Sequence, residues 1–289
     1  MEPTTARFEG FEGIHLEADV WGDPDAWPVL MLHGGGQTRH AWGNTAQVLA
    51  EHGWRAVSVD QRGHGDSEWA LNGDYSFTSY AADCIAVADQ LGRRPVLVGA
   101  SLGGIAAIVA EGASDRAVSV GLVVVDITPR SNPEGIERIR AFMESGMQGF
   151  ASLDEAAEAI AAYTPNRPKR VNPAGLMKVL RQRSDGRWHW HWDPRFMERG
   201  STEVPSDDYQ ALFEAALRGV RVPTLLVRGK LSDVVTDDGV DAFLTAVPGA
   251  KLADVSDASH MVAGDRNDVF SDAVVRFLDE DIRPVLDGR

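Results

Sequence analysis

The run Val96-Leu97-Val98-Gly99-Ala100-Ser101-Leu102-Gly103-Gly104 decides how this chain is read. An apolar strand-like segment passes straight into Gly-x-Ser-x-Gly, and Leu102 to Glu111 then carries a helical pattern. A serine in a tight strand-to-helix turn needs glycines beside it, because side chains there would clash with the turn. The Ser101 hydroxyl then projects beyond the strand end, toward the positive pole of the following helix. The same letters also suit an ordinary turn with a capping serine, so the surrounding sequence carries the decision.

Upstream, the strand Val29 to Leu32 ends in His33-Gly34-Gly35-Gly36. A glycine run lets backbone N–H groups close on a developing oxyanion. The expected donors are the N–H groups of Leu102 and Gly35, with Gly36 the less favoured alternative. Neither G-x-x-x-x-G-K-[ST] nor G-x-G-x-x-G follows, so phosphate cradling is the poorer account. Downstream, His260 lies in Ser256-Asp257-Ala258-Ser259-His260-Met261, after the strand Leu252 to Val255. Histidine suits a general base near neutrality, and the order serine, acid, histidine singles out His260 among eight. The acid is expected at Asp233, in the loop after the strand Thr224 to Val227. Asp126, which ends the run Val120 to Val125, is the alternative acid.

Further outward, strands at Phe8 to Phe11, Ile14 to Trp21, Ala56 to Val59 and Val120 to Val125 alternate with helical patterns such as Ala81 to Leu91. This alternation predicts an α/β fold, with a mostly parallel central sheet and helices on both faces. From 129 to 221 the rhythm changes to successive helical patterns, broken by Asn172-Pro173 and Asp193-Pro194. Residues 1–128 and 222–289 are therefore expected to form the core domain, with 129–221 a helical cap over the strands' carboxyl ends. Met143, Met147 and Trp190 are candidate substrate-binding residues of that cap, alongside Gly36. In Arg187-Trp188-His189-Trp190-His191-Trp192-Asp193, an extended backbone would put three tryptophans on one face and His189, His191 and Asp193 on the other. The first face reads as a pocket wall or a packed hinge. The second is a weak metal pattern, because two histidines and a carboxylate often recur by chance.

Lys and Arg number 28 against 43 Asp and Glu, a formal charge of −15. Such a surface repels nucleic acid and anionic lipid, so neither is expected as a partner. Cys84 is the single cysteine and cannot form an internal disulfide. The start MEPTTARFEGFEG does not read as a secretory signal, and no run of about 18 apolar residues occurs. The expectation is a cytoplasmic protein whose oligomeric state is left open.

Taken together, HGGG, Asp60-Gln61-Arg62-Gly63-His64-Gly65-Asp66-Ser67, GASLGG and the loops of Asp233 and His260 resemble the α/β-hydrolase fold superfamily. Within it the chain is similar to capped serine esterases and to bacterial non-haem, perhydrolase-like enzymes, over residues 10–128 and 222–285. The resemblance implies Ser101 as nucleophile, Leu102 and Gly35 as oxyanion donors, and Asp233 as acid. It also implies that the stretch containing His64 is a structural loop rather than catalytic. Serine at the elbow argues against epoxide hydrolases and haloalkane dehalogenases, which carry aspartate there. The implied activity is acyl transfer on a small carboxylic ester, with no cofactor and no metal. A carbon–carbon bond hydrolase or a lactonase would use the same triad. A non-catalytic ligand receptor on this fold is the alternative of another class.

Overall fold

The protein is described by a computed structural model over residues 2–163, 173–200, 206–260, 262 and 267–288. Ten strands occur among these residues: β1 (Thr4–Glu9), β2 (His15–Trp21), β3 (Trp27–Leu32), β4 (Trp54–Val59), β5 (Val96–Ala100), β6 (Gly121–Val125), β7 (Leu180–Gln182), β8 (Trp188–Trp190), β9 (Thr224–Gly229) and β10 (Lys251–Val255). Eight of them form one sheet in the order β1-β2-β4-β3-β5-β6-β9-β10. β1 and β2 pair antiparallel, as do β2 and β4, and every other pairing in the sheet is parallel. The fold class expected from the sequence is the one observed.

The central strands are short and almost wholly apolar because both faces of the sheet are covered. Alternate residues go to opposite sides. Leu30, Leu97, Leu122 and Val124 join one core cluster, while Val29, Met31, Val96, Val98, Val123 and Val125 join the other. Helices α1 (Gly43–Glu51) and α8 (Asn267–Phe277) cover the second face, contributing Ala46, Leu49, Phe270 and Val274. Helices α2 (Phe77–Gln90), α3 (Leu102–Gly112) and α7 (Asp237–Ala246) cover the first.

Between β6 and β9 the chain forms α4 (Pro133–Ser145), α5 (Leu153–Tyr163), the antiparallel hairpin β7–β8 and α6 (Ser206–Gly219). Asn132 caps α4 by accepting the Glu134 N–H at 3.1 Å, and Pro133 occupies its first turn. The hairpin is a departure from the all-helical reading of this stretch. Its strands are only three residues long, and Phe150 and Trp188 exchange backbone hydrogen bonds beside it. The carboxyl half of α6 packs directly on α3. A Cβ on Gly112 or on Gly219 would lie less than 2 Å from the other helix's carbonyl oxygen, so both contacts require glycine. The 129–221 insertion thus has two parts: α4, α5 and the hairpin lie near the strand ends, and the end of α6 sits in the helix layer beside α3.

Candidate active site

Strand β5 delivers Ser101 into a turn with φ 47° and ψ −112°. This left-handed backbone costs a non-glycine residue roughly 1–3 kcal/mol. Neighbouring structure holds it there: the Ser101 N–H donates to Val125 O at 3.0 Å, and its carbonyl accepts from Ile105 N at 2.9 Å. A Cβ on Gly99 would meet Gly103 O at 2.2 Å, and one on Gly103 would meet Leu32 O at 2.2 Å. The two glycines of the motif are thus required by close packing of the helix start against the ends of β5 and β3.

The loop after β3 arches over the same point. A Cβ on Gly34 would lie 3.6 Å from Ser101 Cβ, and one on Gly35 would lie 3.9 Å from Leu102 Cβ. Two histidines hold the loop. His33 Nε2 accepts the Gln61 N–H at 3.0 Å, so its Nδ1 carries the proton given to Gly34 O at 2.8 Å. His64 Nε2 accepts the Gly36 N–H at 3.1 Å, and its Nδ1 donates to Arg62 O at 3.0 Å. Burial pushes the His33 imidazolium pKa down, which fits a neutral ring. The Gly34 N–H is taken by Gln37 Oε1 at 2.9 Å and the Gly36 N–H by His64. Among the described residues, no acceptor is recorded for the N–H of Gly35 or of Leu102.

The other charged residues of the 60–67 loop brace the structure rather than the cavity. Asp60 pairs with Arg39, and Arg62 makes a buried bidentate pair with Asp83, at 2.6 and 2.8 Å. Gly65 N–H donates to His191 O at 2.8 Å and His64 bridges to Trp192, so this loop also anchors the insertion.

His260 meets Asp126, not Asp233. Its Nδ1 lies 2.7 Å from Asp126 Oδ2, and the Asp126 side chain is 1% exposed. The carboxylate also accepts from Gly229 N at 3.0 Å and from Ser232 Oγ at 2.5 Å. The acid expected at Asp233 instead pairs with Arg138 of α4 at 2.6 Å. Register explains which aspartate the ring meets. Ala100 pairs with Val125, and Val125 with Val227, so Ser101 and Asp126 leave adjacent strand ends side by side. Asp233 comes six residues after Val227, beyond a turn closed by Ser232 N to Gly229 O, and its carbonyl already abuts Gly135 of α4. Asp126 too has a left-handed backbone, at φ 50°.

Ser101, Leu102, His260 and Gly34 to Gly36 line one cavity of about 1770 Å³. The insertion supplies much of its apolar wall, including Ile136, Ile139, Phe142, Met143 and Trp190. Met143 is buried and would lie 3.0 Å from a Cβ on Gly36. Trp190 packs edge-on against Phe142 and Phe150. Met147 is exposed and takes no part in the wall. The histidine face of the Trp-rich stretch is dispersed: His189 meets Asp185 at 2.8 Å, while Asp193 meets Tyr75 and Arg195. Burial holds His191 neutral, with a pKa lowered to about 4. Among the described residues, no three His, Cys, Asp or Glu side chains are grouped to hold a metal ion. Sequence reasoning missed Ser232, whose hydroxyl donates to Asp126, and nothing in its spacing marks it.

A model of the alpha/beta hydrolase family matches residues 29–273, and the chain belongs to that family. It is similar to Esterase Rv0045c of Mycobacterium tuberculosis, with 30% identity over 95% of this chain and 87% of the relative. It is also similar to a non-heme chloroperoxidase of Streptomyces lividans, with 32% identity over 82% of this chain and 83% of the relative. Among solved structures it shares the fold of E-2-(acetamidomethylene)succinate hydrolase, with a TM-score of 0.83 and 23% identity, over 96% of this chain and 99% of the other. No helix among the described residues is long and apolar enough to cross a membrane.

Proposed function

We propose that this chain is a serine esterase that cleaves small carboxylic esters through an acyl-enzyme. The observation that carries the reading is the 2.7 Å contact of His260 with buried Asp126 at the wall of the cavity that also contains the strained Ser101. Asp126 accepts the Nδ1 proton, which leaves Nε2 as the basic nitrogen for the Ser101 hydroxyl. Ser101 Oγ attacks the carbonyl and its proton passes to His260. The N–H groups of Leu102 and Gly35 receive the oxyanion. His260 then protonates the leaving alcohol, and water activated by the same ring releases the acid. Asp126 offsets the charge of the imidazolium in both steps. The roughly 30% identity to a mycobacterial esterase supports the same chemistry.

The insertion acts as a cap that selects the acyl group, through Met143 and Trp190. Met143→Ala should shift the preferred chain length of p-nitrophenyl esters more than it lowers turnover of the best one. A uniform loss on all esters by a folded variant would argue against that role.

The test of the main reading is a p-nitrophenyl ester series from acetate to octanoate. Wild type should hydrolyse the short members, and Ser101→Ala should lose at least about a thousandfold in kcat. A sulfonyl fluoride should label Ser101 alone, as read by peptide mass mapping. A wild-type protein inert on the whole series and unlabelled at Ser101 would favour a ligand receptor on this fold.

A further inference from the structure

We propose that the ester accepted here carries a carboxylate of its own, received by Arg130 on the cavity wall. This rests on the esterase reading above and adds a substrate class to it.

The first observation is an inversion of charge. Acidic residues outnumber basic ones by 43 to 28 along the chain. Among the described residues of the cavity wall the balance reverses: Arg130, Arg140, Lys178 and Arg195 stand against Asp74 and Glu198. Two of these cations are already matched, Arg140 by Glu144 at 2.8 Å and Arg195 by Asp193 at 2.7 Å. Arg130 and Lys178 make no ion pair with any described residue. In so acidic a protein a carboxylate partner is easily supplied, as Asp233 is to Arg138.

The second observation is that the backbone around Arg130 is fixed. Arg130 follows Asp126 by four residues, and Ile127, Thr128 and Pro129 line the wall between them. Pro129 O accepts from the Gln210 side chain. Ser131 Oγ donates to Thr128 O at 3.0 Å, and Ser131 bridges to Val235. Arg130 O itself accepts from Thr236 Oγ1 at 3.5 Å and lies so near Gly239 that a Cβ there would stand 2.8 Å away. The chain is thus tied on both sides of Arg130, while its guanidinium holds no carboxylate among the described residues. A planar guanidinium matches a carboxylate with two parallel hydrogen bonds.

The chemistry narrows the ligand. The net charge of −15 opposes a polyanion at long range, so a monoanion is favoured. The apolar wall of Ile136, Ile139 and Phe142 suits a short hydrocarbon between the anion and the ester. A half-ester of an aliphatic dicarboxylic acid has this form. Hydrolysis of monoethyl adipate breaks the acyl–oxygen bond, adds one water, and yields ethanol and adipate.

The experiment compares monoethyl adipate with ethyl hexanoate by pH-stat, alongside monoethyl succinate and suberate to scan the spacer. Wild type should prefer one or more half-esters about tenfold in kcat/KM, the factor carried by one charge-assisted hydrogen bond. Arg130→Gln should lower that ratio about tenfold, and Arg130→Lys should restore part of it. Calorimetric titration of Ser101→Ala with the preferred half-ester should show binding that weakens about tenfold when Arg130→Gln is added. A wild-type ratio at or below one across the series, or a ratio and an affinity unmoved by Arg130→Gln, would overturn the proposal. The two readings fail separately. Hydrolysis of p-nitrophenyl butyrate with Arg130-independent binding removes the anion site alone. Arg130-dependent binding without any ester hydrolysis removes the esterase reading alone.

Discussion

Two aspartates stand at the ends of neighbouring strands and have opposite surroundings. Asp126, directly after β6, is buried and holds three donors: Gly229 N, Ser232 Oγ and His260 Nδ1. Asp233, in the loop after β9, has a side chain 34% exposed and holds the guanidinium of Arg138, itself 59% exposed. Adjacent residues of one loop face different ways, since Ser232 supports Asp126 while Asp233 ties α4 to the core. A carboxylate that orients an imidazole needs fixed donors and exclusion of water, and only the first strand end supplies both. Chain order alone does not distinguish the two.

The contrast can be broken in three measurements. Asp126→Asn should reduce kcat on the best p-nitrophenyl ester by about a hundredfold to ten-thousandfold with KM little changed, because the amide no longer holds the required tautomer. Ser232→Ala removes one hydrogen bond to the carboxylate and should cost about tenfold in kcat/KM. Asp233→Asn should change kcat by no more than about twofold. Its ion pair is largely solvent-screened, so the loss of stability on thermal melting should stay below about 1 kcal/mol. A large kinetic effect of Asp233→Asn with a small one of Asp126→Asn would reverse the assignment.

Much of this was legible beforehand, and the reasons are physical. Gly99 and Gly103 announce a turn too tight for side chains, and β-branched runs bounded by glycine announce buried parallel strands. His33-Gly34-Gly35-Gly36 marked the loop that arches over Ser101, although the choice between Gly35 and Gly36 depended on a histidine 28 residues away. The contact of His260 with Asp126 was less legible because reach depends on register between β5, β6 and β9, which one-dimensional order does not contain. The hairpin was only half visible: Trp188-His189-Trp190 alternates with a period of two, but its partner Leu180 to Gln182 is too short to display one. Arg130 carried no motif, and its interest lies in a missing partner, which a sequence cannot record.

The pinned glycine loop has a consequence for acid solutions. Three imidazoles surround this site, and in the proposed mechanism only His260 changes charge during turnover. The other two work as proton acceptors toward amides: His33 toward Gln61 and His64 toward Gly36. A proton on either Nε2 would set two donors against each other and push the loop off its amide contacts. Burial depresses the His33 pKa, so below about 6.5 the unfolded chain binds a proton that the folded ring refuses. The stability conferred by that neutral ring is full above this range and declines as pH falls through it. Acid should therefore loosen the glycine loop as a matter of folding, a loss visible as a falling melting temperature even in a Ser101→Ala protein.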